Sequence, residues 1–472
     1  MSNVLSKINE SFLGDAPGWY KKTIISFLAL NPIIYFTALS FDLDAGCIIG
    51  WVLLLQFIFT LIFSIQCYPL QPGGLIALES LFLGLTDPYH VYHEIESNLE
   101  VLLLLIFMVS AIFFMKDLLL VIFTKLLETV KNKMALSLLF MISAAFLSAF
   151  LDALTVTAVL IAVSIGFYNI FSFNRKQKLI TADEFENGKL FLRDLVMHGA
   201  IGTALGGVCT IVGEPQNLLI ATKADWTFYE FFIKMAPITM PVLLAGLVTC
   251  LIVERFKLVG YGVILSDKLR NKIIEDSQRK NQARTDAEKL HLVFEGILGV
   301  CLIVALGLHV APVGIIGLFL LVALTASKGI ISEHKLGKAF EEPLPFTGLL
   351  VIFFVIVAVI NDQNLFTPVI LAVLNAATEI QAPLFYIANG VLSAISDNVF
   401  VATVYMNEIV LALENGIIDR NQFDVLAVAI NTGTNLPSVA TPNGQAAFLF
   451  LLTSSLAPVS YTHLRAHETD RH

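Results

Sequence analysis

The fold of this chain is decided by the sequence SAFLDALT at residues 148–155 and by its counterpart SAISDNVF at residues 393–400. An offset of 245 residues relates the two stretches, and the same offset carries Asp117 to Asp362. Each stretch places an aspartate inside a long apolar run. A carboxylate at the centre of a bilayer costs about 2.5–3.5 kcal/mol on insertion scales, so such a residue is typical of an ion pathway. The duplication therefore predicts two copies of one structural unit.

An interruption rich in Gly, Pro, Thr and Asn follows each aspartate, inside a later apolar run. The sequence GGVCTIVGEPQN occupies residues 206–217, and NTGTNLPSVATPNGQ occupies residues 431–445. An offset of 227 aligns these interruptions through Gly206 and Gly433, and through Pro215 and Pro442. Gly and Pro break the hydrogen-bond ladder of a helix, and in lipid such backbone survives only where it is buried in protein or lines a cavity. Paired interruptions predict a site whose freed carbonyls attract cations.

The composition places the chain in the membrane. Hydrophobic residues make up 57% of the 472 residues and charged residues only 14%. Apolar stretches of spanning length, about 20 residues, recur along the whole chain. We predict an all-α polytopic membrane protein with ten to twelve membrane-crossing or re-entrant elements, with the lipid bilayer as its surroundings and no nucleic-acid partner.

The basic residues differ between the two copies. The polar loop of the first copy carries five basic residues, and the matching loop of the second carries only Arg420; the five are Arg175, Lys176, Lys178, Lys189 and Arg193. Basic loops tend to stay in the cytoplasm. The two copies are therefore predicted to cross the membrane with opposite orientation, as inverted-topology repeats.

The predicted organisation has five parts. They are N-terminal scaffold helices at 1–98, a first repeat at 99–255 (hairpin near 134–172, broken helix near 193–224), a charged cytoplasmic loop with scaffold helices at 256–343, a second repeat at 344–456 (hairpin near 383–412, broken helix near 422–452), and a tail at 459–472. The tail is abruptly polar and resembles translated adaptor sequence. We therefore predict that it is non-native and that the second repeat is truncated.

The aspartates carry the predicted chemistry. Desolvation raises the pKa of a carboxylate and a bound cation lowers it, so sodium and protons compete for one group. Asp152 and Asp397 are the predicted exchange carboxylates, and on a helix the serine four residues earlier projects from the same face. The other candidates for the same sodium site are Ser148, Ser393, Asn398, Gly213, Glu214, Asn217, Thr441 and Asn443. Each aspartate could instead cap the helix that follows it, and the two roles are compatible.

The paired hairpins and interruptions resemble those of the ion transporter superfamily, which includes arsenite pumps, divalent-anion/sodium symporters and several sodium/proton antiporters. Up to about residue 456 the chain most resembles the NhaB-type bacterial sodium/proton antiporters. Gly213, Pro215 and Asn217 match the superfamily's Gly-Thr-Pro-Pro-Asn interruption, whereas Glu214 departs from it. At the hairpin tips acidic residues replace neutral Ser or Asn.

The resemblance implies a secondary active transporter of the bacterial inner membrane that exchanges sodium ions for protons. It also implies re-entrant hairpins, unwound helices and, in many members, a homodimer. Neither a cofactor nor a transition-metal site is expected, because sodium is the transported substrate. One alternative is a sodium-coupled symporter of a small organic anion, which the acidic tips disfavour. A second alternative, an intramembrane enzyme, lacks a histidine in either motif and is also disfavoured.

Several ionisable residues outside these motifs have plainer interpretations. His90 and His93 are interpreted as interfacial loop residues, and His198 as an interfacial histidine with a hydrogen-bond partner. Asp117 and Asp362 are duplicated, but a role at the membrane boundary is at least as well supported as ion binding.

Overall fold

The computed structural model describes residues 11–341, 343–441, 444, 445 and 448. Within these residues all regular secondary structure is helical, which confirms the all-α prediction. Seven of the described helices are long and apolar enough to cross a membrane, and an eighth span results if one bent pair is counted together. The predicted ten to twelve elements also included interrupted and re-entrant segments, which length and composition alone do not select.

The described chain divides into two compact units. The terminal unit comprises the residues up to Leu102, Thr222–Ala224 and Glu341–Gly444. The central unit comprises Leu103–Ala221, Asp225–Phe340 and the chain from Gln445. The predicted repeat boundaries do not follow this division and stay a prediction.

The terminal unit contains nine helices among its described residues. They are α1 Gly18–Ser40, α2 Ala45–Ile62, α3 Leu70–Phe82, α4 Pro88–Ser97, α16 Pro343–Asp362, α17 Thr367–Leu374, α18 Thr378–Ser393, α19 Asn398–Glu414 and α20 Arg420–Asn435. Three buried rings join α2, α16 and α19, because Phe57 lies 5.5 Å from Phe353 and 5.8 Å from Phe400 between ring centroids. Such pairs bury large apolar area in favourable edge-to-face geometry. This cluster fixes the helix that begins at Asn398 against the N-terminal helices.

Each of the remaining helices lies wholly or mostly in the central unit. They are α5 Leu99–Phe113, α6 Lys116–Thr129, α7 Lys133–Leu151, α8 Ala153–Lys176, α9 Ala182–Gly207, α10 Pro215–Ala224, α11 Phe228–Phe256, α12 Asp267–Ala283, α13 Asp286–Gly307, α14 Val313–Ser327 and α15 Glu333–Phe340. The unit boundaries cut α5 and α10 near their ends. The charged stretch 255–292 is partly helical, since it contains α12.

Helices α7 and α9 approach each other at backbone distance. A Cβ added at Gly202 would lie 2.4 Å from the Met141 carbonyl oxygen, and one at Gly206 would lie 2.0 Å from the Ala145 carbonyl oxygen. Small residues four apart let two helix backbones approach closely, a common arrangement in membrane proteins. The glycines therefore place the first interruption, at the end of α9, directly beside the end of α7.

Candidate functional site

The first aspartate occupies a one-residue break between two helices. Helix α7 ends at Leu151, α8 begins at Ala153, and Asp152 between them has φ 86° and ψ 135°. A positive φ is uncommon for a residue with a side chain and is concentrated at functional sites. The buried carboxylate accepts hydrogen bonds from Thr155 N (3.1 Å) and Thr155 Oγ1 (3.4 Å). Asp152 thus caps α8, as the capping interpretation predicts.

The second aspartate lies at the end of a four-residue break. Helix α18 ends at Ser393, α19 begins at Asn398, and Asp397 has an extended backbone with φ −77° and ψ 139°. Its half-buried carboxylate accepts from Val399 N (2.8 Å) and Phe400 N (3.2 Å). Asp397 therefore caps α19 with two bonds and without a left-handed backbone.

The hairpin serines connect each hairpin to the neighbouring broken helix. The Ser148 hydroxyl donates to the Thr203 carbonyl oxygen at 2.8 Å, and the Ser393 hydroxyl contacts the Thr434 carbonyl oxygen and Asn398 Oδ1. A helix ends before each aspartate, so the spacing of four residues does not place serine and aspartate on one helical face. This part of the sequence argument is wrong, because it assumed a continuous helix. A serine that donates its proton keeps lone pairs for a cation.

The first interruption spans residues 208–214, between α9 and α10. The Asn217 amide donates to the freed carbonyls of Gly207 (2.8 Å) and Thr210 (2.7 Å). Thr210 Oγ1 donates to the Ala149 carbonyl oxygen in the hairpin. A Cβ at Gly213 would lie 2.2 Å from the Gly207 carbonyl oxygen, so only glycine fits. The carbonyls predicted to bind a cation are therefore held in place by an amide, and each keeps a second lone pair.

Glu214 is a buried acid at the end of this interruption. Gln445 Nε2 donates to Glu214 Oε1 at 3.3 Å. The carboxylate thus has an amide partner of its own in the central unit, beside the Gly213 turn.

The second interruption follows α20 and contains a short 3₁₀ helix, Pro437–Ala440. Ser438 Oγ donates to the Asn435 carbonyl oxygen at 2.6 Å, and Thr441 Oγ1 donates to the Ala394 carbonyl oxygen. Gly444 N donates to Thr441 Oγ1 at 3.1 Å. Two parts of the sequence prediction, Asn443 and the tail at 459–472, lie outside the described residues, as does Pro442.

The contacts of the two interruptions correspond at an offset of 231, not 227. Thr203 and Thr210 are matched by Thr434 and Thr441, which make the same contacts to the second hairpin. Gly213 packs against the Gly207 carbonyl oxygen, and Gly444 packs in the same way against the Ser438 carbonyl oxygen. A Cβ added at Gly444 would lie 2.7 Å from that oxygen. The offset of 227 is wrong because it pairs Gly206 with Gly433 and Pro215 with Pro442, which do not make corresponding contacts. The pattern G-T-x-L-x-x-V-x-T-x-x-G recurs at residues 202–213 and 433–444, and it indicates the offset of 231 from the sequence alone.

A buried charge cluster in the central unit was not predicted from the sequence. Glu254 Oε1 lies 2.9 Å from Lys133 Nζ and 3.0 Å from His198 Nε2, and it accepts from Ser137 Oγ at 2.7 Å. Asp194 lies 2.7 Å from Arg193 Nη2 and 3.7 Å from Lys133 Nζ. The cluster joins α7, α9 and α11. His198 therefore has a partner as expected, but within an ionic network that spacing along the chain does not reveal.

The duplicated outer aspartates form ion pairs. Asp362 Oδ2 lies 2.8 Å from His90 Nδ1, and Asp117 Oδ2 lies 3.7 Å from Lys328 Nζ. The Asp117 side chain is 72% exposed, which favours the boundary role over a buried ion site. Among the described residues no group of three or more His, Cys, Asp or Glu could hold a metal ion.

Comparisons with known proteins agree with the geometry. Residues 1–465 match the family described as bacterial Na+/H+ antiporter B (NhaB). The Na(+)/H(+) antiporter NhaB of Teredinibacter turnerae is 55% identical over 474 residues, covering 97% of this chain and 93% of the relative. The proteins of the same name from Shewanella denitrificans and Vibrio cholerae El Tor Inaba are each 54% identical, covering 97% and 95% of this chain and 88% and 87% of the relatives. The predicted resemblance is thereby confirmed, and the chain belongs to the NhaB family of bacterial sodium/proton antiporters.

Proposed function

We propose that this chain exchanges sodium ions for protons across the bacterial inner membrane as a secondary active transporter. One observation carries the proposal: an aspartate at a helix break lies next to a threonine- and glycine-rich interruption, and this arrangement occurs twice in a member of the NhaB family. Its relatives are named as antiporters, which favours exchange over symport of an organic anion.

The proposed architecture is a pair of inverted-topology repeats with re-entrant hairpins. The corresponding contacts support a repeat, and the excess of basic residues in the first copy supports opposite orientation. In transporters of this plan the substrate site lies at the discontinuous helices. We also propose a homodimer, and only the family resemblance supports it.

Asp152 and Asp397 are the proposed exchange carboxylates. Asp152 Oδ2 and Asp397 Oδ1 each accept a backbone hydrogen bond from the first turn of the following helix. Within each unit, oxygen ligands for sodium would come from the aspartate, from the hairpin serine (Ser148 or Ser393) and from carbonyls of the interruption in that unit. Protonation removes the charge that holds sodium, so each ion expels the other by linkage. Exchange follows if the site changes sides only when one of them is bound.

The remaining candidates have supporting roles in this proposal. Asn217 holds two carbonyls of the first interruption, Gly213 permits its turn, and Thr441 ties the second interruption to its hairpin. Asn398 Nδ2 lies 3.4 Å from Ser438 Oγ and orients the second hairpin. Glu214 is a third buried acid, at the end of the first interruption, where it could bind sodium or control access to the site.

The test is sodium-driven proton movement in everted membrane vesicles, followed with a pH-sensitive dye and without any organic anion. The proposal expects sodium to release protons from acidified vesicles, with a half-saturating sodium concentration that rises as the pH falls. Proton movement that requires an added organic anion would instead establish the symporter. A sodium response that does not vary with pH would contradict competition for one site.

A further inference from the structure

A cavity of about 320 Å³ lies in the central unit between α6, α8 and α12, and none of its lining residues belongs to an interruption. Its size is at the lower end of the range of small-molecule sites, about 300–1,000 Å³. The proposed exchange mechanism uses none of its lining residues.

The floor of the cavity is apolar. It is formed by side chains of α6 and α8 and by one buried residue of α12, and includes Leu120, Val121, Phe167, Ile170 and Ile273. Gly166 lies in this wall, and a Cβ added there would meet no atom within 4 Å. The floor therefore has room for a hydrocarbon chain along α8, a helix that qualifies as a membrane span.

The rim of the cavity is charged, with three cations against two carboxylates. Lys125 pairs with Glu128 at 3.4 Å and Lys280 pairs with Asp276 at 2.7 Å, and both lysine side chains are at least two-thirds exposed. Arg284 supplies the third cation, and its Nη1 donates to the Asn281 side chain at 2.8 Å. The rim keeps a net positive charge next to an apolar floor.

The charged helix α12 is fixed over this end of the membrane helices. The buried Arg270 guanidinium donates to the carbonyl oxygens of Leu127 (3.0 Å), Val130 (3.1 Å) and Lys131 (3.3 Å), at the C-terminal end of α6. These are the carbonyls that a helix end leaves without internal partners, and the planar donor fork of arginine suits them. The cavity is therefore built from anchored elements rather than from a loop.

Basic residues lie at the C-terminal end of α8 and in the loops that follow α6 and α8. They are Lys131, Arg175, Lys176 and Lys178. Basic segments of this kind lie on the cytoplasmic side, where the leaflet is rich in anionic lipid.

We propose that this cavity binds one phospholipid with an anionic headgroup from the cytoplasmic leaflet, such as phosphatidylglycerol. An acyl chain lies along the apolar floor beside Gly166, and the phosphate and headgroup contact Lys125, Lys280 and Arg284. Basic pockets between membrane helices are typical sites for such headgroups.

The test is lipid binding to the purified full chain by native mass spectrometry, with phosphatidylglycerol and phosphatidylcholine as probes. The variants are Lys280→Gln and Arg284→Gln for the rim, Gly166→Leu for the floor, and Lys272→Gln as the control. Lys272 is a cation on the same helix that pairs with Glu275 at 2.7 Å, and neither residue lines the cavity. Melting temperatures confirm that each variant is folded.

The wild type is expected to prefer phosphatidylglycerol. Each rim charge removed should weaken its binding about fivefold, while Lys272→Gln binds as the wild type does. Gly166→Leu should reduce the binding of both lipids. Three results would each overturn the proposal: equal binding of the two lipids by the wild type, a rim variant that behaves like Lys272→Gln, or displacement of phosphatidylglycerol by inorganic phosphate. The last would indicate a site for free anions.

Discussion

The break at Asp152 and the break at Asp397 hold equivalent contacts on different backbones. At Asp152 one residue with φ 86° separates two helices, whereas four residues separate them before Asn398 and Asp397 has an ordinary extended backbone. Both aspartates nevertheless cap the following helix, and both hairpins accept a threonine hydroxyl from the neighbouring interruption. The contacts that recur despite different backbones are the ones we assign to function.

The crossing between hairpin and broken helix differs in residue size. In the central unit Ala145 faces Gly206, and in the terminal unit Gly390 faces Pro437, whose Cγ would lie 2.7 Å from an added Cβ. The larger residue is on the hairpin in one case and on the interruption in the other. Both crossings therefore stay closely packed, because each pairs glycine on one side with a larger residue on the other.

Gly213→Ala should have the largest effect on either break. Its Cβ would lie 2.2 Å from a backbone oxygen, so the turn must open, and we expect loss of folded protein or of nearly all transport. Expression and melting temperature in detergent are the measurements. Gly296→Ala is the matched control, because nothing lies within 4 Å of its Cβ and alanine favours a helix by about 1 kcal/mol. Wild-type behaviour of Gly213→Ala would show that the first interruption is mobile rather than fixed.

Gly390→Ala should destabilise the second break by about 1–3 kcal/mol, the usual range for overpacking. Adding Pro437→Gly recreates the alanine–glycine pair of the first break and should recover part of the loss. A double-mutant cycle on unfolding stability measures this coupling. If the effects of Gly390→Ala and Pro437→Gly on stability are additive, the two residues are not coupled. That result would contradict the explanation of the close crossing by one small and one larger residue.

The threonine contacts should be equally important in both breaks. Thr210→Val and Thr441→Val each remove one hydrogen bond to a hairpin carbonyl, and each should cost about 1 kcal/mol. Thr249→Val is the control, because its hydroxyl is exposed and bonds only its own helix at Ala245. If one variant loses stability and the other behaves like the control, the two interruptions are not equivalent.

The smallest expected difference concerns the backbone at the aspartates. Glycine adopts a positive φ without strain, so Asp152→Gly should be milder in its effect on stability than Asp397→Gly, by about 0.5–1 kcal/mol. Melting temperatures of the two variants compare them directly. The reverse order would mean that the positive φ at Asp152 costs the wild type little stability.

Much of this site could be read from the sequence because it depends on local chemistry. An aspartate inside an apolar run, followed by a helical pattern, predicts a cap, and Asp152 and Asp397 both form one. Gly213 beside Pro215 predicts a break in the helix, and the break lies there. The apolar composition predicts a helical membrane protein without reference to packing.

The parts that the sequence did not predict depend on contacts between distant segments. Ser148 and Ser393 were assigned to the face of their aspartates, but tertiary packing turns them to carbonyls of another helix. Lys133 and Glu254 are 121 positions apart in the printed sequence and meet only because α7 and α11 pack together. The register of the second interruption depends on contacts between hairpin and interruption, and identical Gly and Pro residues also align at the incorrect offset of 227.

The most direct test of the account replaces each aspartate with asparagine and measures sodium-driven proton movement in everted vesicles. Asparagine caps helices about as well as aspartate and tolerates a positive φ, so Asp152→Asn and Asp397→Asn should remain folded, with melting temperatures near that of the wild type. The account predicts that both variants lose sodium-dependent proton release, because the exchangeable charge is gone. Wild-type transport by both variants would show that the aspartates only cap helices, and would contradict the proposed exchange site.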